Sequence, residues 1–493
     1  MLNDTGEKIN EREERLKKLA ELKNKGLNPY PAKVNRDYEI AKVISDFEKL
    51  LKSAKDVAIV GRLRSIRSHG NLTFANLEDG SANIQIALSK KELGDGSYKD
   101  FVKLIDHGDF IQVKGNVFNT HKGEQSVMVK SWTLLSKALR PIPDAWFGLK
   151  DEEERYRKRY LDLILNPETR DIFYKRAKFW EVTRQFMKKH GFIEVETPTL
   201  EITTGGAEAN PFKTHHDDYD QDIFLRISVG ELWQKRLMAA GYEKTFEIGR
   251  VYRNEGSSPE HLQEFTNLEF YLAYADYEVS MKLAQELYRE IAIQVFGKTK
   301  FITKGFEYDL AAEWPRLDYR EEVKKQTGID VLKDSEADMK KKLEKLKVVY
   351  EGDNRERLVD TLWKYCRRNI AGPVFLVNHP KLVSPLAKAK PDNPELTERF
   401  QIIIAGSEIG NGFSELNDPV DQRQRFELQQ ELIDRGDKEA MMPDWEFVEM
   451  LEYGMPPTTG FGFGERLFAF LMDKTVRETT LFPFLKPKMD NKD

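Results

Sequence analysis

A chain of 493 residues is too long for one compact core, so two or three domains are expected, at least one of them large. Its 40% hydrophobic and 33% charged residues, with no long Gly/Ser- or Gln-rich tract, exclude a disordered or fibrous class. The net charge of −5 hides a division, +6 over residues 1–140 and −11 over the remainder, compatible with one part that holds RNA backbone and another that performs chemistry.

A single cysteine, Cys366, leaves no internal disulfide. No unbroken apolar run approaches the roughly 18 residues of a membrane span, and the Lys/Glu-rich start lacks an apolar signal core. A cytoplasmic protein with no membrane association is therefore expected.

Along the chain, residues 9–26 are charged, with Leu16, Leu19 and Leu22 at helical spacing, and Gly26, Pro29 and Pro31 end the pattern. A surface helix from Ile9 to Gly26 is predicted, inside an N-terminal helical segment of 1–55. Residues 57–135 change period: Ile84, Ile86 and Leu88, then Ile111 and Val113, then Val127 and Val129 alternate, punctuated by Gly61, Gly70, Gly80 and Gly115. Five short strands, with a helical stretch Tyr98–Ile105 between the third and fourth, have the order of an OB-fold β-barrel, placed at 56–140. The second and third strands of such a barrel form its oligonucleotide face. Phe74 and Gln85 fall on them and Arg67 just before, offering a stacking ring, an amide and a cation to a splayed-out base.

Pro141 and Pro143 break the chain, and a charged helix around Asp151–Leu163 occupies a linker of 141–170. From 171 to 493, long helical stretches such as Ile172–His190 and Val279–Phe296 alternate with strands that lack the βαβ rhythm of a parallel sheet. The prediction is a multidomain α+β protein whose C-terminal domain has a mainly antiparallel sheet flanked by helices. Residues 316–372 read as a helical insertion.

The segment Thr245–Tyr277 is the richest in chemistry. Leu268, Phe270 and Leu272 take the even positions and are expected inside, whereas Phe265, Asn267, Glu269 and Tyr271 share the opposite face. On the preceding strand Glu247, Arg253 and Glu255 are expected on one face, away from Phe246, Ile248 and Tyr252. Ionisable groups and a ring on a common face make a binding floor. A ring stacks on a purine, and a guanidinium forks onto a phosphate.

Tyr252-Arg253-Asn254-Glu255, then a loop and His261-Leu262-Gln263-Glu264-Phe265, resembles motif 2 of class II aminoacyl-tRNA synthetases. Gly191–Pro198 resembles their motif 1, a dimer-interface element, and Gly460–Arg466 their motif 3. Within that class, Asn411–Asp418, Gly205-Gly206-Ala207, Arg140–Pro143 and Arg155–Asp162 are similar to lysyl-tRNA synthetases of the bacterial kind. The resemblance spans nearly the whole chain, to Leu485. It implies in-line attack of the carboxylate of L-lysine on the α-phosphate of ATP, giving lysyl-adenylate and pyrophosphate, then transfer to the 3′-terminal ribose of tRNA(Lys). It also implies Mg²⁺ as cofactor and a homodimer formed through the region around Pro198.

Residue by residue, the resemblance puts Arg253 on the α-phosphate, Phe265 on adenine with Glu255 beside it, and His261 and Arg466 on the outer phosphates. Lysine makes its own demand, because a buried ammonium needs anionic partners. Glu415, on one strand face with Asn411 and helped by Tyr271 and Glu269, is the candidate for the ε-ammonium. Glu231, at a helix start, takes the α-ammonium with backbone near Gly206. Two positions depart from the family pattern. Glu408 matches one Mg²⁺ ligand, but the other position, seven residues earlier, is Gln401, a neutral amide. Motif 3 is one residue short between Gly464 and the pair Glu465-Arg466.

Two competing readings are a ligase that attaches lysine to protein, which generally lacks an OB domain, and a non-catalytic RNA-binding protein that keeps the fold. Arg253, Phe265, Glu231 and Glu415 weigh against the second of these.

Overall fold

Along five strands between residues 57 and 136 side chains largely alternate inward and outward, and the strands close on the apolar surface so made: Val57–His69, Leu72–Glu78, Asn83–Ser89, Phe110–Asn119 and Gln125–Ser136. They pair in the order first, second, third, fifth, fourth, a closed OB-type barrel. Ile59, Leu63, Leu77, Ile86, Val113 and Val127 fill it and are buried completely. The computed structural model describes residues 10–143, 149, 151–207, 209–350, 352, 354–437 and 440–488, in two units, Met1–Lys150 and Asp151–Asp493.

In the first unit, helix Asp95–Leu104 lies between the third and fourth strands and contributes Tyr98, Phe101 and Leu104 to the barrel core. The N-terminal helix runs Glu11–Asn24; its expected start, Ile9, lies outside the described residues. It is more than a surface helix, because Leu22 is fully buried and Arg15 donates to the carbonyls of His107 and Ala138, each at 3.1 Å. Just past the last strand, buried Lys137 donates to Asp106 Oδ2 at 2.6 Å, Asp109 Oδ2 at 2.7 Å and the Leu104 carbonyl at 2.8 Å.

The second unit is built on an eight-stranded sheet. Its order is Arg316–Asp318, Val374–Val377, Arg399–Ile404, Ser407–Ser414, Thr458–Gly464, Glu264–Ala273, Lys244–Tyr252 and Ile193–Glu194. Only the two outermost pairings are parallel; the rest are antiparallel, as predicted. Helices Pro167–Lys189 and Tyr277–Phe296 cover one face. The second of them starts where the Asp276 side chain accepts from the backbone N–H of Glu278 and Val279, and it stops at left-handed Gly297. Phe179, Phe186, Leu287, Tyr288 and Ile291 of these helices pack on Phe246, Leu268 and Phe270 of the sheet. The even positions of 264–273 therefore point at the helices, which leaves the odd positions to the other face.

Residues 316–372 begin as an edge strand and continue as helices Tyr319–Thr327, Glu336–Lys345 and Arg355–Arg367. These helices enclose a core of their own, with Val323, Met339, Leu343, Leu358, Leu362 and the free thiol Cys366 all fully buried. No helix among the described residues is long and apolar enough to cross a membrane.

Lys137 and Asp109 are both inaccessible to solvent, and removing one partner of such a pair costs about 3–5 kcal/mol because the other charge stays buried. Lys137→Met should therefore strip hydrogen-exchange protection from the barrel amides. Protection equal to the wild type would mean that these ion pairs do not hold the barrel closed.

Candidate active site

Three glycines open the floor of the site. Gly460, Gly462 and Gly464 alternate along their strand, and they sit opposite Tyr271, Glu269 and Asn267 of the neighbouring strand. A Cβ on Gly460 would lie 2.4 Å from Glu415 Oε1 and 2.5 Å from Tyr271 Cε1, and one on Gly462 would lie 2.8 Å from Glu269 Cγ. Missing side chains on one strand thus give room to the carboxylates and ring of its neighbours. The intervening Phe461 and Phe463 turn the other way, into the helix-covered core. Above this floor lies a cavity of about 480 Å³.

At one end of the cavity Glu231, Glu269 and Glu415 come together, 7%, 7% and 1% exposed. Glu231 is the first residue of helix Glu231–Ala239. Its Oε2 lies against Gly206, where a Cβ would come within 2.8 Å of it and the φ of 88° also favours glycine. Glu269 accepts from the Val229 N–H at 2.9 Å, Asn267 Nδ2 at 3.3 Å and the Tyr271 hydroxyl at 3.2 Å. Among the described residues the cation paired with them is Lys235, whose Nζ lies 2.9 Å from Glu231 Oε1 and 2.6 Å from Glu415 Oε2.

Neither oxygen of Glu415 receives a well-aligned hydrogen bond, so its contact with Lys235 is an ion pair only. Burial pushes the Glu415 carboxyl up to about 8; Lys235 opposes the rise and Glu231 adds to it. Burial, followed by repulsion from Glu231, raises Glu269 to about 7. Three carboxyls share one ammonium, which leaves this end two positive charges short when all are ionised.

The other end is cationic. Arg466 donates to the carbonyls of Glu260 at 3.2 Å and Glu408 at 3.1 Å, and Arg367 reaches from the last insertion helix to within 3.8 Å of Glu408 Oε2. Arg253 donates to the Ile227 carbonyl at 3.2 Å, with its guanidinium carbon 5.4 Å from the centre of the Phe265 ring. No carboxylate pairs with Arg253 among the described residues. Burial lowers the Arg466 guanidinium from its ordinary value; Glu260 and Glu408 oppose this, and Arg367 and Arg253 reinforce it. From Phe265 at this end to Tyr271 at the carboxylate end, the strand spans about 20 Å at ~3.4 Å per residue.

The residues assigned to ATP, lysine and Mg²⁺ in the catalytic unit all line this one cavity: Gly206, Glu231, Arg253, Glu255, His261, Phe265, Glu269, Tyr271, Gln401, Glu408, Asn411, Glu415 and Arg466. Two expectations about their backbone need correction. The strand ends at Tyr252, so Arg253 and Glu255 reach the cavity from the loop beyond it. Glu247 does not join the floor. Buried Arg226 takes its Oε1 at 2.6 Å, and Thr197 donates to its Oε2 through backbone and hydroxyl at 3.0 and 2.7 Å.

Three residues escaped the sequence reading. Lys235 stands four after Glu231, the ion-pair spacing of a helix, and that signal was available. Arg367 and Arg399 had none, because long-range pairing brings them in; Arg399 Nε donates to Asn411 Oδ1 at 2.9 Å and so orients that amide. Gln401 Oε1 is buried without a hydrogen-bond partner beside Asn411, its cross-strand neighbour. No group of three or more His, Cys, Asp or Glu among the described residues could hold a metal by itself.

In the barrel unit, Arg67 lies directly opposite Phe74, and Asn76, two residues on, lies opposite Gln85. All four share the outer face. Phe74 is half-buried and outside the barrel core, and Arg67 is exposed. Gln85 donates to Glu124 Oε2 at 2.8 Å and accepts from Ser126 Oγ at 2.9 Å, which fixes its amide.

A carboxylate-lined recess joined to an arginine-lined one on an antiparallel sheet, carried in one chain with an OB barrel, agrees with the family comparisons. Residues 151–486 match the family model of class II tRNA synthetases (D, K and N), and residues 57–135 match that of the OB-fold nucleic acid binding domain. The chain belongs to the class II tRNA synthetase family. It is 44% identical to the lysine–tRNA ligase of Thermotoga maritima over 484 residues, covering 97% of this chain and 96% of that one. The lysine–tRNA ligases of Roseiflexus sp. (strain RS-1) and Moorella thermoacetica are 42% and 43% identical, again over almost their full lengths, 98% and 97%.

Proposed function

We infer that this chain is an ATP-dependent ligase that activates lysine as lysyl-adenylate, releasing pyrophosphate, and transfers it to the 3′-terminal ribose of tRNA(Lys). The observation that carries the choice of amino acid is the buried carboxylate end, short of two positive charges, where Glu415 has one ion pair and no well-aligned hydrogen bond. Lysine brings two ammonium groups. A neutral or acidic amino acid would leave buried charge uncompensated.

In this reading Glu415, Glu269 and the Tyr271 hydroxyl receive the ε-ammonium, Asn411 borders them, and Glu231 with backbone near Gly206 receives the α-ammonium. The lysine carboxylate then points along the floor toward Arg253. Adenine stacks on Phe265 beside Glu255, and His261 and Arg466 hold the outer phosphates. Arg253 grips the α-phosphate as its oxygens gain charge, while the carboxylate oxygen attacks phosphorus and the bond to pyrophosphate breaks. No covalent enzyme intermediate is needed. Positioning and fixed charge supply the acceleration.

Mg²⁺ fits this end only in part. Glu408 supplies one carboxylate and Gln401 an uncommitted amide oxygen, so most ligands would come from the nucleotide phosphates. Bound there, the ion neutralises charge on the outer phosphates.

Dimerisation around Pro198 is supported by exposed apolar side chains on the same stretch, Ile193, Leu200 and Ile202. The barrel face of Arg67, Phe74 and Gln85 takes unstacked anticodon bases. The cytoplasm, where aminoacylated tRNA is consumed, is the compartment proposed.

Glu415→Gln should abolish most lysine-dependent ATP–pyrophosphate exchange, a loss of at least about 100-fold in kcat/KM, with ATP affinity nearly unchanged. An unchanged lysine KM and kcat would remove Glu415 from its role. The raised carboxyls set a pH dependence: protonated at pH 6, they lose their protons toward pH 8, and only the ionised forms hold an ammonium. Lysine KM should therefore fall as pH rises from 6 to 8, by up to about tenfold per unit for each proton displaced; a flat profile would contradict the assignment. Phe74→Ala should weaken tRNA charging about tenfold while leaving exchange intact, and equal losses in both assays would refute a separate anticodon-reading role for the barrel.

A further inference from the structure

Lys235 has no part in the reaction just described, yet it is 1% exposed and sits between two of the residues that do. Its Nζ is 2.9 Å from Glu231 Oε1 and 2.6 Å from Glu415 Oε2. The opposite oxygens face the cavity side. Glu231 Oε2 lies against Gly206 and Glu415 Oε1 against Gly460, both of them cavity-lining glycines. Each carboxylate is therefore divided, one oxygen to the protein's own lysine and one beside a cavity-lining glycine.

We propose that Lys235 is a specificity-determining positioning residue: by clamping Glu231 and Glu415 from behind, it sets the spacing between the two anions that receive the amino acid's two ammonium groups. The proposal rests on the lysine-activating reading above. Glu231 begins a helix and Glu415 follows a strand far along the chain, so the separation of their carboxylates depends on packing between elements and on the rotamers of both side chains. Two buried carboxylates with nothing between them repel each other, and one of them takes up a proton. A shared ammonium removes the repulsion and ties both to one point. That point is itself held, because the rings of Phe413, Phe447 and Tyr271 surround Nζ with their centres 5.2, 5.8 and 5.9 Å away.

The charge pattern agrees. The groups facing this ammonium are Glu231 on its own helix, Glu415 past the end of its strand, and Tyr271 on the floor strand beside Glu269. With Lys235 in place, two negative charges remain for a diammonium substrate; without it there would be three. Ornithine, one methylene shorter, carries the same charges, so charge alone cannot reject it. Fixed spacing can, because the shorter chain leaves its side-chain ammonium short of Glu415 and a buried anion unpaired.

The test is ATP–pyrophosphate exchange with lysine and with ornithine, using the full-length protein, Lys235→Met and Lys235→Arg. Lysine-dependent exchange by the wild type is the entry condition; its absence refutes the functional reading itself. Lys235→Met should raise lysine KM by about tenfold or more and lower the lysine-over-ornithine preference by a similar factor, with ATP KM within about twofold of wild type. Equal losses for lysine and ornithine, with the preference intact, would reduce Lys235 to a structural ion pair and overturn the proposal. Should Lys235→Met not fold, Lys235→Arg decides. It keeps the charge but spreads it over a wider fork, so activation should survive with the preference shifted by at least about threefold; a wild-type preference would again overturn it.

Discussion

Three carboxyl groups buried in one recess of a folded protein are an electrostatic liability, and the local architecture answers it. Desolvating a single unpaired ion costs several kcal/mol, and like charges at close range add to that. The recess survives because Glu269 takes three hydrogen bonds, Glu231 and Glu415 share Lys235, and burial lifts the Glu415 and Glu269 carboxyls toward neutrality when no further cation is bound. The recess is thus tolerable without being fully compensated. That residual deficit is the physical basis of the proposed affinity for a diammonium amino acid.

Room for these groups comes from what is absent on the neighbouring strand. In Gly460–Gly464 the alternation of glycine with phenylalanine serves two faces at once: Phe461 and Phe463 complete the helix-covered core, while the glycines leave volume for Tyr271, Glu269 and Asn267. A one-residue slip of this register would put rings into the recess and glycines into the core. The apolar packing that stabilises the sheet therefore also fixes the site, because only the correct register satisfies both faces.

Much of this was legible in the sequence, for identifiable reasons. Strict alternation separated Leu268 and Phe270 from Glu269 and Tyr271, and the five-strand order with its intervening helix marked the barrel. The candidate residues line one cavity because several of them lie in three recognisable segments, around Arg253, Asn411 and Gly460. What failed was local extrapolation. Glu247 has the right parity for the floor, but Arg226, from a segment with no obvious pairing to it, intercepts its carboxylate. Arg367 and Arg399 enter through contacts between elements remote in sequence, which no periodicity reveals. Lys235 was passed over although its spacing from Glu231 was visible, since an i,i+4 pair on a helix is usually a solvated surface feature; burial, not spacing, gives it consequence.

The two ends of the cavity also differ in access, and that difference orders the chemistry. The carboxylate end is nearly dry, with Glu415 1% and Tyr271 3% exposed, whereas His261 at the arginine end is exposed and Glu255 and Arg466 are partly so. Discrimination is strongest where water cannot replace a missing partner, so the choice of amino acid belongs to the dry end. In the proposed reaction, release of pyrophosphate and arrival of a tRNA terminus require traffic, for which the open end is the better suited. Arg367 on the insertion, close to Glu408 at that same end, links the helical insertion to the part of the site through which substrates and products must pass. A neutral Gln401 is consistent with the proposed arrangement: where arginines already supply positive charge from three directions, the phosphates of the proposed nucleotide, and not a ring of protein carboxylates, would be the main anions at the open end.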